Sequence, residues 1–403
     1  MWVTVTARVK AVTPEPSSHA KLVEFLRAYR DWTQFIIDGI WELDRIPSIK
    51  ELHHRFYKKL RKQGLRAHHV HKIERRAREI VKATKRNRGS KPILRKLTAR
   101  LDYQDYRIDF DNRTIRIAVL NSEWIELKLK WYSYLDKYFN GSWRLGEILV
   151  SLKDDTIWVY LTFKKEAKLR KVRNAMGVDI NFDSLVYTVL DSNGKLISTN
   201  VLMFRGLRRA LHFKKLSENL QKRYPRSWRF IKWVRNVRAR WLRRARNILN
   251  DSCHLIARRI VEIAKEYNAV IVLEDLRKLK DRISGNNRFS WKMHLWTYRR
   301  IQSYIHYKAL LEGVPVVYVS PRGTSKISPI GGRLVFINYR WVRLPNGVVT
   351  TRDVVASWNL ALRHLQMRGS RGWLSPDSPL NDGMKTLPKR GKPVQVIKIS
   401  KIT

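Results

Sequence analysis

The sequence predicts an α/β fold, a sheet backed by long helices, preceded by a strand-rich unit that a helical segment interrupts. Three observations carry this expectation. The hydrophobic period changes from two to 3.6 after Val12 and returns to two near residue 93. Asn193-Gly194 stands between two apolar runs, a strong hairpin signal because both turn positions need positive φ. Beyond residue 206, short apolar runs such as 269–273 alternate with long helical patterns, the order of an α/β domain.

Taken in order, residues 2–12 alternate like a strand and stop at Pro14 and Pro16. Apolar positions then recur at Leu22, Phe25, Leu26, Tyr29, Phe35, Ile36 and Ile40 with helical spacing, and basic helical sequence continues to about Arg88. Alternation resumes over 93–163, for example in Thr114-Ile115-Arg116-Ile117-Ala118-Val119 and 156–163. A β-barrel interrupted by a helical insertion explains this order, with the first strand completing a barrel formed by 93–170. Strands are expected at 175–180, 184–190 and 195–198, and helices at 206–222 and 227–267. A strand at 269–274, a helix at 296–311, a strand at 314–320, an irregular stretch and a helix starting near Asp353 complete the series. Three antiparallel strands followed by alternating helices and strands are the element order of an RNase H-like domain. The Gly-, Pro- and Lys-rich residues 368–403 read as a flexible basic tail.

Composition narrows the partners. The 83 Lys and Arg against 34 Asp and Glu give a net charge of +49 over 403 residues, and self-repulsion of that size calls for a polyanion. Nucleic acid fits. The apolar runs are too short to span a bilayer and Met1-Trp2-Val3-Thr4-Val5-Thr6 lacks a signal-peptide core, so a cytoplasmic protein without a membrane partner is expected. The single Cys253 excludes an internal disulfide and a cysteine-based zinc site, and its helical apolar context makes it a small buried residue. No phosphate-binding Gly-rich loop ending in Lys-Ser or Lys-Thr is present.

Three acids stand out: Asp179 in Met176-Gly177-Val178-Asp179-Ile180-Asn181, Glu274 in Val270-Ile271-Val272-Leu273-Glu274-Asp275, and Asp353 ahead of an amphipathic helix. Carboxylates converging from such elements hold divalent ions against a phosphodiester, so a metal-dependent nuclease is the leading reading. Magnesium or manganese suits an all-oxygen site. In this arrangement Asp179 bridges from the first strand, Glu274 binds from the neighbouring strand end and Asp353 completes the site. Asp183 and Asp275 are read as surface or supporting groups.

Between Arg205 and Arg246 there are 16 Lys or Arg and one acid, Glu218, a one-sided balance that reads as a phosphate track. Arg208, Arg209, Lys214, Lys215, Arg235, Arg238, Arg240, Arg243 and Arg244 are its candidate contacts. The interleaved Trp228, Trp233 and Trp241 are expected to pack in the core rather than stack on bases. Residues 67–88 read as a second phosphate-facing helix. Five of the 11 histidines, His53, His54, His68, His69 and His71, read as polar surface or RNA contacts in preference to metal ligands.

The motifs resemble those of the TnpB family, the RNA-guided nucleases of IS200/IS605-type insertion sequences and small relatives of type V CRISPR effectors. The matching text is Gly177-Val178-Asp179-Ile180-Asn181, Ile271-Val272-Leu273-Glu274-Asp275-Leu276, Tyr307-Lys308-Ala309, Gly313-Val314-Pro315-Val316, Pro321-Arg322-Gly323-Thr324-Ser325, and Arg352-Asp353 with Ala356, Asn359 and Leu360. The resemblance implies a wedge β-barrel over 1–14 and 91–170 and a helical recognition domain over 15–90. It further implies a RuvC-like nuclease domain over 171–320 and 348–367, and a target-nucleic-acid-binding insert over 321–347. The partners implied are a guide RNA from the element end and target DNA, with the basic helices facing guide and heteroduplex. Family members usually carry two Cys-x-x-Cys pairs in the insert; the corresponding positions here are Ile327, Ile330, Arg343 and Asn346, so no structural zinc is expected. A hairpin of 334–337 with 339–343 is expected to hold by apolar packing. A cut-and-paste transposase would use the same acids, and a guided repressor would bind without cutting; oligomeric state is left open.

Overall fold

The structure, a computed structural model, describes residues 2–275 and 298–369. The chain divides into two compact units, Trp2–Glu166 and one beginning at Ala167.

The first unit is built on a seven-stranded antiparallel sheet in the order β2-β6-β7-β1-β5-β4-β3. Strand β1 (Trp2–Val12) buries Val3, Val5, Ala7, Val9 and Ala11 through its alternation. It pairs with β7 (Thr156–Glu166) from Trp2 opposite Glu166 to Ala11 opposite Ile157, and with β5 (Trp124–Lys130) at its far end. The first strand therefore joins two hairpins that lie more than a hundred residues away. These are β6 (Arg144–Lys153) with β7, flanked by β2 (Leu97–Leu101), and β4 (Thr114–Ala118) with β5, flanked by β3 (Tyr106–Asp109). The sheet curls far enough for the Tyr106 hydroxyl on β3 to donate to the Gly146 carbonyl on β6 at 2.7 Å. No backbone ladder joins β2 to β3 among the described residues, so the barrel expected from the sequence is here a curled sheet.

Between β1 and β2 lie α1 (Pro16–Trp41), α2 (Ile49–Arg61) and α3 (Ala67–Arg86). Pro16 pre-sets the first turn of α1. Ser48 and Glu51 close a reciprocal capping box on α2. Helix α1 buries Leu22, Phe25, Leu26, Tyr29, Ile36, Ile37 and Ile40, while Phe35, expected on the same face, is exposed and lies under the Lys59 ammonium at 4.3 Å.

The second unit carries a five-stranded mixed sheet in the order β10-β9-β8-β11-β12. Strands β8 (Asn174–Ile180), β9 (Ser184–Leu190) and β10 (Leu196–Met203) form an antiparallel meander, and β11 (Ala269–Glu274) and β12 (Val316–Val319) run parallel to β8. The strand period of two divides the sheet into two faces. Met176, Val178, Ile271 and Leu273 pack with Ile256, Ile260, Ile301 and Ile305 of α5 (Lys232–Glu266) and α6 (Tyr298–Leu311). Ala175, Val270 and Val272 pack with Leu360 and Ala361 of α7 (Arg352–Gly369). Helix α4 (Leu207–Arg223) packs on α5 through Leu207, Ala210, Ala245 and Leu249.

Three boundaries differ from the sequence expectation. Strand β10 extends to Met203 because Asn200, Val201 and Leu202 continue the ladder with β9. Helix α5 starts at Lys232, after a short 3-10 turn at Ser227–Arg229, because its N-cap Ile231 is extended (φ -79, ψ 106). The expected hairpin of the insert is present as β13 (Val335–Phe336) paired with β14 (Trp341–Arg343), and β15 (Val349–Thr351) adds a third strand to it. The expected start of α6 at residue 296 and the basic tail beyond Gly369 lie outside the described residues. No helix among the described residues is long and apolar enough to cross a membrane.

Candidate active site

The two-residue period that sends Met176 and Val178 to one face of β8 sends Ala175, Gly177 and Asp179 to the other, where α7 lies. On β11 the same alternation puts Val270, Val272 and Glu274 on the α7 side. Leu273 is in register with Val178, so Glu274 is the neighbour of Asp179 across the parallel pair. Asp353 stands in the first turn of α7. The three acids named from the sequence thus meet at one end of the sheet.

Glycine at 177 is what lets α7 come this close. A Cβ there would sit 1.9 Å from the Ser357 carbonyl oxygen and 2.8 Å from the Ala361 nitrogen. Buried Ser357 further ties the helix to the sheet through the Thr188 hydroxyl at 2.7 Å.

The electrostatics confirm the convergence. Asp179 is only 8% exposed; burial, and then the negative charges of Glu274 and Asp353, hold its pKa well above the ordinary aspartate range. Asn181 donates from Nδ2 to Asp179 Oδ2 at 3.0 Å, a counterweight that favours the ionised form. Burial pushes Glu274 up to about 6, opposed by the Thr324 hydroxyl at 3.5 Å and by the charge of Arg363. Asp353 is raised by burial and by Asp183, with Arg340 and Arg352 acting against them. None of the three forms a salt bridge among the described residues, although the chain has 83 cationic side chains. Three carboxylates, one buried and two half-buried, that form no salt bridge match the donor set of a hard divalent cation, and the residues present fit magnesium or manganese.

The structure adds contributors whose roles the sequence left open. Asp183 is a fourth acid close enough to raise Asp353. The loop after β12 brings Thr324 to Glu274 because α7 grips it: Asn359 Nδ2 donates to the carbonyls of Thr324 and Ile327, both at 2.7 Å, and Arg363 reaches the carbonyls of Ser320 and Arg322. Gln302 of α6 fixes the Glu274 backbone carbonyl at 2.8 Å. The Pro-Arg-Gly-Thr-Ser and Asn359 motifs therefore have a shared physical role, which is to seat a hydroxyl against the second acid.

The basic track is presented unevenly. Arg208, Arg209, Lys215, Arg235, Arg240, Arg243 and Arg244 are exposed. Lys214 is half-buried and paired with Glu218 at 3.4 Å, and Arg238 is half-buried with its guanidinium 4.2 Å above Trp228, so these two are engaged within the protein. The expectation that the tryptophans fill the core is corrected: Trp233 is 53% exposed and Trp228 and Trp241 are half-buried. On α3, Arg76 bonds Thr98, Arg78 bonds the Pro47 carbonyl and Lys85 the Leu43 carbonyl, leaving Arg75, Lys82 and Arg86 as its exposed cations.

Comparison with known proteins bears on this site directly. A family described as "Cas12f1-like, TNB domain" matches residues 298–360, and the "Uncharacterized protein MJ0013 family" matches residues 25–118. TnpB-like protein MJ0751 of Methanocaldococcus jannaschii is 29% identical over 260 residues, covering 62% of this chain and 91% of that protein. CRISPR-associated endodeoxyribonuclease Cas12f2 of a Micrarchaeota archaeon is 25% identical over 260 residues, covering 56% of this chain and 46% of that protein. In three dimensions the chain is similar to a Cas12f1 from a cryo-EM structure of its sgRNA and target DNA complex, with a TM-score of 0.63 at 13% identity over 86% of this chain and 83% of that one. That likeness shows a shared fold.

Proposed function

We propose that this chain, a TnpB-family protein related to type V effectors, is a transposon-associated RNA-guided DNA endonuclease that cuts next to a short recognition motif. The observation that carries the reading is the meeting of Asp179, Glu274 and Asp353 on the α7 side of the sheet, wholly or partly desolvated and without a salt bridge among the described residues. Magnesium or manganese bound there would supply Lewis acidity and an activated water for phosphodiester hydrolysis. Asp179, Glu274 and Asp353 would hold the ions. Asn181 orients Asp179, while Thr324 and Arg363 keep Glu274 biased toward its ionised form. The exposed arginines of α4 and α5 supply a sequence-independent grip on phosphates.

The same reading assigns the curled sheet to a wedge role and helices α1 to α3 to recognition. Base pairing of the guide would then read target sequence while the protein reads backbone shape and the adjacent motif. All three acids favour cutting over guided repression.

The test is to purify the protein with its co-bound RNA, sequence that RNA, and assay plasmid cleavage beside a matched target with and without magnesium. Asp179→Ala should abolish cutting and preserve guide-dependent binding. Guided binding without metal-dependent cutting by the wild type would move the protein to the repressor class, and strand transfer without RNA would move it to the transposases.

A further inference from the structure

The histidine tract is divided: His54 is exposed as expected of a polar surface, His69 is fully buried against that expectation, and His53, His68 and His71 are half-buried. His53 on α2 and His71 on α3 stack face to face, ring centroids 4.6 Å apart and planes 5° from parallel. Both turn a ring nitrogen toward one carboxylate oxygen of Glu74, His53 Nδ1 at 3.2 Å and His71 Nδ1 at 3.8 Å. The donor atoms of all three residues lie within 4.8 Å of one another. His71 and Glu74 are one turn apart on α3 and share a face, and His53 meets them from the opposing helix.

Glu74 is the unusual member. Its side chain is fully buried, its Oε1 has no hydrogen-bond partner, and no Lys or Arg pairs with it among the described residues. Burying a carboxylate is costly unless a cation compensates it. The imidazoles are 34% and 44% exposed, so an ion can reach the carboxylate from solvent between them.

We propose that His53, His71 and Glu74 form a site for a borderline divalent transition-metal ion, with zinc as the representative, that clips α2 to α3. Two imidazoles and one carboxylate suit zinc rather than magnesium, and three protein ligands leave a fourth position for water. Tetrahedral zinc with bonds near 2.0–2.1 Å separates its ligands by about 3.4 Å, close to the two nitrogen–oxygen distances found. To aim both nitrogens at one ion the two rings must turn out of their parallel stack, which their partial exposure allows. Apart from this clip, α2 is held by Leu52, Phe56 and Leu60, so the ion would fix the helix pair inserted between β1 and β2. The site is separate in sequence and in chemistry from the three acids of the second unit.

The test uses the full chain stripped of metal, titrated with Zn2+ by calorimetry and with Co2+ by visible absorption, in wild type, Asp179→Ala, His53→Gln and His71→Gln. The expected result is one equivalent of zinc and a tetrahedral Co2+ spectrum in wild type and Asp179→Ala. In either histidine variant, affinity should fall by more than about a hundredfold, since even outer-shell partners are worth about 10–100-fold. Far-UV circular dichroism confirms that the variants are folded. The absence of zinc binding by the wild type overturns the proposal, as does stoichiometric binding that survives in both histidine variants.

Discussion

Replacing Gly177 with alanine tests whether the seating of α7 on β8 places Asp353. The new Cβ would stand 1.9 Å from the Ser357 carbonyl oxygen, where ordinary contact begins at 3.4 Å. The obstructing atoms are backbone, so neither can swing aside as a flexible side chain would. Helix α7 must retreat by about 1.5 Å, or β8 must bend by as much. Either response breaks the Ser357–Thr188 hydrogen bond and moves Asp353, four residues before Ser357, away from Asp179 on β8. Overpacking of this kind costs about 1–3 kcal/mol in stability, and a displacement of about 1 Å in a catalytic constellation costs about 10²-fold in rate. Urea denaturation and single-turnover cleavage, measured on the same preparation, read the two effects. A Gly177→Ala protein that cuts at the wild-type rate would refute the claim that this contact positions the acid.

Removal of the Asn359 amide in Asn359→Ala leaves the Thr324 and Ile327 carbonyls unpaired; stability should drop by about 2–4 kcal/mol in urea denaturation, with slower cutting as Thr324 leaves Glu274, and an unchanged midpoint would dispose of the latch. Because burial raises Glu274 from its ordinary 4.5 to about 6, the native state binds its proton more tightly, so metal-free stability should fall as pH rises through that window. Glu274→Gln should remove about 2 kcal/mol of that fall; superimposable pH–stability curves for the two proteins would contradict it. Cleavage should decline as pH drops through about 6, since protonated carboxylates do not hold the ion, and extra metal should shift the decline to lower pH, which a rate–pH series at two magnesium concentrations reads out. Changing Arg235, Arg240 and Arg243 together to alanine should flatten the salt dependence of nucleic-acid binding by roughly 0.7–0.9 per lost phosphate contact; an unaltered slope in filter-binding titrations would remove these residues from the track.

The convergence of the three acids was legible because strand periodicity encodes which face a residue takes. Once Met176 and Val178 are assigned to the core under α5, Asp179 has one side left, and the same holds for Glu274 beside Ile271 and Leu273. Asp183 could be read only as a surface or supporting group, and Thr324 only as part of a motif without a role, because their approach depends on the path of turns and loops that no period specifies. The tryptophans misled for a related reason: aromatic residues at helical spacing look like core, yet the apolar face of α5 is satisfied by Ala245, Leu249, Ile256 and Ile260, leaving Trp233 at the surface. Two- and three-residue strands such as β15 carry too little pattern to register. The His53, His71 and Glu74 cluster escaped because its members come from two helices whose packing angle is a tertiary property.

The small sheet of the insert shows how the catalytic helix and its neighbour depend on each other. Strands of two and three residues cannot hold a three-stranded sheet together by themselves, and the resemblance to TnpB implies that zinc usually does so. Here the four corresponding positions, Ile327, Ile330, Arg343 and Asn346, all face solvent. In place of a metal, Leu334, Val342 and Leu344 bury against Val355, with Trp358 alongside. Each fully buried aliphatic side chain contributes about 1.5–3 kcal/mol. Val355 and Trp358 belong to α7, the helix that carries Asp353. The join is also direct in the chain: β15 ends at Thr351, whose hydroxyl accepts from the Val354 amide at 3.3 Å, and α7 begins at Arg352, whose amide bonds the Arg340 carbonyl. A zinc-held insert could fold without its helix, but this one is completed by α7, so the packing that replaces the metal is also packing that sets the position of the third acid.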